Sequence, residues 1–215
     1  MSGPVEFLTT AANWAGNDGI GARLATHLWV SVLAVGAAAV VALPTGIAIG
    51  HTRRGRDLAV AVTNLSRAVP SLAVLAFVVA AGWGIGFVPT WIAMFALALP
   101  PLFVGAVTGV SEVDPAVVDA AVGMGMSASQ VVRSVEIPLA LPLVVSGLRV
   151  AVGQVIATAT LGAFVGYNTL GRFITVGRAN GNDGMLYGGV VVIVALAVAA
   201  DSALQRWAKT LRSRR

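Results

Sequence analysis

Few side chains in this 215-residue chain could carry chemistry. There is no cysteine, so disulfides, zinc thiolates and thiol nucleophiles are excluded. The two histidines, His27 and His51, stand alone, without the His-Glu-x-x-His spacing of a metal site. No Gly-x-Ser-x-Gly elbow is present to raise a nucleophile. Lys209 is the only lysine, and no Gly-rich loop ends in Lys followed by Ser or Thr, so the chain lacks a Walker-type phosphate cradle. What remains is polar but not catalytic. Glu112, Asp114, Asp119 and Glu136 fall in one segment, which reads as a solvated face or as an acidic docking face. Arg67 and Arg149 lie inside apolar runs, as do Gln154, Thr158 and Thr160. Pro70, followed by Ser71, and the pair Pro100–Pro101 interrupt such runs, and each proline frees a carbonyl that needs another partner. With no nucleophile–base pair and no metal set, the chain does not read as an enzyme.

The elements that position these residues follow from composition. Apolar residues make up 57% and charged residues 11%, against about 45–50% and about 25% in soluble domains. Mean hydropathy is +0.87. These values exclude a disordered chain, a coiled coil and an ordinary soluble enzyme, and leave an all-α polytopic membrane protein of one domain over 1–215. A spanning helix needs about 20 mostly apolar residues. Five runs qualify: 24–50, 58–81, 91–110, 139–166 and 185–204. Residues 167–184 read as a polar, Gly-rich loop.

The net charge of +5 does not mark a nucleic-acid binder, because the basic residues flank apolar runs. Five spans put 51–57, 111–138 and the tail 205–215 on one side. That side carries nine Lys and Arg, while the opposite side has only Arg23, Arg172 and Arg178. The positive-inside rule then places the first group in the cytoplasm and the segment 1–22 outside. Residues 1–21 lack the basic-then-apolar order of a cleaved signal. On this orientation Arg67 is near the cytoplasmic face, snorkelling or sitting on an interfacial helix over 57–67, and Arg149 anchors at the same interface. The prolines read as packing kinks or as sources of carbonyls for a path. Gln154, Thr158 and Thr160 line a path or bond between helices.

The segment 111–138 has its own local logic. Pro115 suits a first helical turn, so 116–122 is expected to be helical. Gly123 and Gly125 end that helix, with Gly125 supplying a positive φ or a close approach. Ser127 and Gln130 form a capping box for a second helix. Pro138 is expected to end that helix near Ile137, and Pro142 adds a second break.

These residues carry a resemblance. Asp119-Ala120-Ala121, then Gly125, then Val135-x-Ile137-Pro138 keeps the register of the EAA loop of bacterial ABC-importer permeases, with Asp for Glu, Val for Ile and Ile for Leu. Further stretches are similar to the osmoprotectant branch that imports glycine betaine, choline, carnitine or proline. They are Pro70-Ser71-Leu72-Ala73, Gly84-Ile85-Gly86-Phe87-x-Pro89, Gly123-Met124-Gly125-Met126-Ser127, Pro138-Leu139-Ala140-Leu141-Pro142, Ser146-Gly147-Leu148-Arg149 and Leu170-Gly171-Arg172-Phe173-Ile174. Where the branch usually has Arg-Asn-Thr late in the third span, this chain has Val104-Gly105-Ala106.

The resemblance implies a type I importer permease fold in a bacterial cell membrane. It implies a coupling loop at Asp119, Ala120, Ala121, Gly123, Gly125, Val135, Ile137 and Pro138. It implies as partners a second permease, cytoplasmic ATPases that hold the ATP and magnesium, and an external binding protein. Arg67, Pro70, Ser71, Gln154, Thr158 and Thr160 are the candidates for the substrate path. A permease for methionine or another amino acid shares the form, and a stand-alone channel or carrier is the alternative of another class.

Overall fold

In lipid a backbone can satisfy its N–H groups only by bonding within a helix or a closed barrel, so long apolar runs fold as helices. The computed structural model describes residues 3–54 and 56–213, and the backbone alone at 56, 60, 65–67 and 211–213. No strand occurs among the described residues. In chain order they are α1 (Pro4–Thr9), a 3₁₀ turn (Ala11–Trp14), α2 (Ile20–His51), α3 (Arg56–Ala68), α4 (Ser71–Ala80) and α5 (Phe87–Ser111). There follow α6 (Pro115–Gly123), α7 (Ala128–Val131), a π turn (Val132–Glu136), α8 (Ile137–Ala159), a 3₁₀ stretch (Thr160–Val165), α9 (Gly171–Ala179) and α10 (Asp183–Ser213). Four helical stretches are long and apolar enough to cross a membrane: Ile20–His51, Phe87–Ser111, Ala128–Val165 and Asp183–Thr210.

The core is a three-helix plank, with α5 packed along α2 on one side and α8 on the other. Along α2 the buried positions recur every four residues: Val30, Ala34, Ala38, Ala42, Gly46 and Gly50. That spacing keeps them on one face. Their small size lets backbones approach, which is how helices associate where lipid supplies no hydrophobic drive. At Gly46 an added Cβ would lie 2.7 Å from the Ala106 Cβ. The α5–α8 crossing is equally tight, since a Cβ on Gly147 would lie 2.5 Å from the Pro101 carbonyl oxygen. At the end carrying α9, Phe7 of α1 packs edge-on against Phe173 with centroids 5.5 Å apart, over Ile20 and Leu170.

Three expectations are corrected. The run 58–81 is not one helix. It is broken at Val69–Pro70 into α3, which is amphipathic, and α4. Pro70 cannot donate to the carbonyl four residues back, and it adopts an extended φ/ψ of −67°/123°. The 10-residue α4 spans roughly 15 Å, about half the hydrocarbon core. Second, the chain does not break at Pro138 or Pro142. Helix continues from Ala128 through both, and the π turn just before Pro138 widens the helix where the proline ring needs room. Third, the loop 167–184 contains helix α9.

Candidate functional site

A groove of about 610 Å³ runs along the plank between α4, α5 and α8. It brings together residues far apart in sequence: Ser71 from α4, Pro100, Pro101 and Thr108 from α5, and Gln154 and Thr158 from α8. The local reasons are simple. Gln154 and Thr158 are one helical turn apart and share a face. Pro100 and Pro101 have no N–H for the carbonyls of Ala96 and Leu97, and Leu97 also lines the groove. No charged side chain lines it among the described residues. The lining is therefore hydroxyls, one amide and apolar surface, which can solvate a small polar solute without gripping it.

Of the six path candidates, Ser71, Gln154 and Thr158 line this groove. Pro70 does not; it is exposed and caps α4. Thr160 does not either, and its hydroxyl donates to the Ala157 carbonyl at 2.7 Å. The Arg67 side chain lies outside the described residues. Val104 and Gly105, from the stretch that departs from the Arg-Asn-Thr pattern, line the groove.

The loop at the other end of α5 divides into an outward half and an inward half. Asp114 caps α6 by accepting from the Ala116 N–H at 2.9 Å, so that carboxylate has a structural task. Asp119 and Ala120 are exposed, whereas Ala121 is buried beneath them. Helix α6 ends in a Schellman turn. Gly125 has φ +84°, its N–H donates to the Val122 carbonyl, and the Met126 N–H donates to the Ala121 carbonyl. Ser127 and Gln130 cap the next helix as expected, with the Ser127 N–H donating to Gln130 Oε1 at 2.7 Å.

The other half of the motif differs from its expected form. Val135, Ile137 and Pro138 belong to the long helix and are half-buried, so they do not stand on a separate outward face. Glu136 is also misplaced in an acidic docking face. Its side chain is 1% exposed and lies 2.7 Å from His51 Nδ1 at the end of α2. A carboxylate out of water needs such a partner. The turn after α2 is tied again where an Arg53 N–H donates to the Val113 carbonyl at 3.1 Å.

Sequence spacing could not show these pairings. Glu136 and His51 are 85 positions apart. One sign was present: Glu136 lies four residues before buried Ala140, on the same helical face. Arg149, expected as an interfacial anchor, also has a partner far along the chain. It forms a forked ion pair with Asp201 of α10, Nε to Oδ1 at 2.9 Å and Nη2 to Oδ2 at 3.1 Å. Asp201 is the one acidic residue in 185–204, and that was its signal. At the α9 end, Arg23 is buried over the Phe173 ring, 4.5 Å from its centroid, and paired with Asp18 at 3.0 Å.

Comparison with known proteins gives three findings. Residues 41–215 match the family model described as binding-protein-dependent transport system inner membrane component. Among curated proteins, the chain is 33% identical over 178 residues to the glycine betaine/carnitine/choline transport system permease protein OpuCB of Bacillus subtilis, covering 83% of this chain and 82% of that one. It is 35% identical to the carnitine transport permease protein OpuCB of Listeria monocytogenes, covering 83% and 81%. It is 32% identical to the osmoprotectant import permease protein OsmW of Salmonella typhimurium, covering 84% and 86%. Among solved structures, a chain of the inward-facing MetNI methionine ABC transporter superposes with a TM-score of 0.78 at 22% identity, covering 98% of this chain and 99% of that one. That likeness is one of fold.

Proposed function

We propose that this chain, which belongs to the family of binding-protein-dependent transport system inner membrane components, carries small osmoprotectants such as glycine betaine, carnitine or choline. The observation that supports this reading is the groove, where polar side chains from α4, α5 and α8 meet without a charge. A path must bind weakly enough to release its cargo. Groups that offer hydrogen bonds and no full charge suit a solute delivered by another protein. The named substrates of the curated relatives point to the same solute class.

In this reading the groove is one wall of the path, and a second permease chain, identical or related, supplies the other. Cytoplasmic ATPases dock on the exposed part of α6 at Asp119 and Ala120 and on the turn Gly123–Gly125. ATP and magnesium are held there, on the partner. An external binding protein selects the solute and delivers it to the α9 end. The tail and the α6 end face the cytoplasm of a bacterium, and the N-terminus faces out. ATPase closure pushes α6, and the push passes to α2 through His51–Glu136. The plank then tilts and exposes the groove to alternate sides.

The test is uptake of labelled glycine betaine after a salt upshift, in cells with no other betaine system. Deleting the chain is expected to abolish saturable uptake, and the intact chain to restore it. Gly125→Val is expected to restore less than a tenth, because φ +84° is costly for a β-branched residue. Charge reversal at Asp119 is expected to reduce co-purification of the ATPase. Uptake unchanged by deletion overturns the substrate, and full rescue by Gly125→Val overturns the role of the turn.

A further inference from the structure

We propose that the cavity at the α6 end of the groove is a second solute station that holds a small zwitterion by both ends before release. It rests on the importer reading above and adds a place and a charge pattern to it. The cavity has a volume of about 500 Å³ and lies between the turn after α2, α3 and the last turns of α5. Its polar lining is Arg53, Thr63, Asn64, Thr108, Ser111 and Glu112. Thr63, Val104 and Thr108 also line the membrane groove, so the two spaces adjoin across shared side chains. Small-molecule sites occupy roughly 300–1,000 Å³, and this cavity falls in that range.

The two spaces differ in charge. The groove has no charged lining among the described residues, whereas the end cavity has one side chain of each sign. Glu112 caps the C-terminus of α5, where no basic residue occupies the last turn. The helix carbonyls there already carry partial negative charge, so this wall draws a cationic group. Arg53 forms the other charged wall. One of its N–H groups goes to the Val113 carbonyl, and no other bond of its side chain is seen among the described residues. A guanidinium has five donors, which leaves enough for a carboxylate.

The backbone of Arg53 adds a second argument. Its φ is +57°, and it is the one non-glycine residue with positive φ among those described. A left-handed backbone is costly for a residue with a Cβ, and such strain persists where the surroundings impose it. Here it accompanies a side chain that reaches Val113, next to the Asp114 cap of α6. A shift of α6 therefore moves the guanidinium that would hold the solute carboxylate, and links release to the loop.

The experiment uses the whole assembly, with its ATPase and binding protein, in proteoliposomes. The probes are labelled glycine betaine, a zwitterion, and labelled choline, a cation without a carboxylate. Arg53→Gln is expected to lower betaine transport about tenfold and to leave choline transport within twofold. Glu112→Gln is expected to lower both at least fivefold. Equal losses of both probes in Arg53→Gln, or no loss in either variant, overturn the station.

A second measurement needs no substrate, because the chain has no cysteine of its own. With Asn64→Cys, a cationic thiosulfonate added from the α6 side is expected to label the thiol, and Glu112→Gln to slow that labelling at least threefold. An anionic thiosulfonate is expected to be slowed likewise by Arg53→Gln. Labelling indifferent to both changes overturns the proposal. Charge-dependent labelling of Asn64→Cys, where the assembly without any substitution transports neither probe, supports the cavity and overturns the osmoprotectant reading instead.

Discussion

Pro70 and Pro138 meet opposite fates, although a proline in a helix interior costs about 3 kcal/mol. At Pro70 the chain leaves the helix and restarts as α4. At Pro138 it runs on, as it does through Pro44, Pro100, Pro101 and Pro142. The surroundings differ more than the residues do. α5 is held along its length by α2 and α8, and α8 by α5 and α10. Pro138 stands in the first turn of the α-helical stretch that follows the π turn, where its missing N–H costs least. α3 and α4 find their main support in α5 alone. Local chemistry sets the cost of each proline, and the number of packed neighbours decides whether the helix absorbs it.

The contrast can be broken at the plank. Gly147→Leu places side-chain atoms against the Pro101 carbonyl and is expected to cost about 3 kcal/mol through overpacking. The measurement is thermal unfolding of the purified complex in detergent. Wild-type stability in this variant would mean that α5 keeps its course through Pro100 and Pro101 unaided. A smaller loss is expected at the α8–α10 seam. Arg149→Met leaves the half-exposed Asp201 with the Gln205 amide alone and should cost about 1 kcal/mol. Adding Asp201→Leu should return most of it, and a double variant no better than the single would show that the pair holds nothing. Least is expected from Pro70→Ala, under about 1 kcal/mol. Its signature lies in hydrogen exchange, which should slow at 68–72 as α3 and α4 join. Unchanged exchange there would assign the break to packing and not to the proline.

The sequence showed whatever depends on neighbours within a turn or two. Ser127 with Gln130, Pro115 at a helix start and Gly125 at a helix end all stand where short-range rules put them. Its account of Pro138 failed because a π turn and flanking helices outweigh a local preference. The groove was half legible. Gln154 and Thr158 announce themselves by helical spacing, whereas Thr108 and Ser146 join them only because α5 and α8 cross at Gly105 and Gly147. Partners across the chain, His51 with Glu136 and Arg149 with Asp201, left only one sign each: an ionisable side chain on a face that should be apolar. Helix α9 was hidden because 171–179 is too polar and too short to resemble a span.

The unbroken helix from Ala128 to Val165 has 38 residues, roughly 57 Å at 1.5 Å per residue. The second half of the loop is therefore the handle of a rod whose other end reaches the opposite rim. A ten-degree swing about one end of such a rod carries the other by about 10 Å, with no bond inside it remade. Length alone would then turn a small movement at one end into a wide displacement at the other.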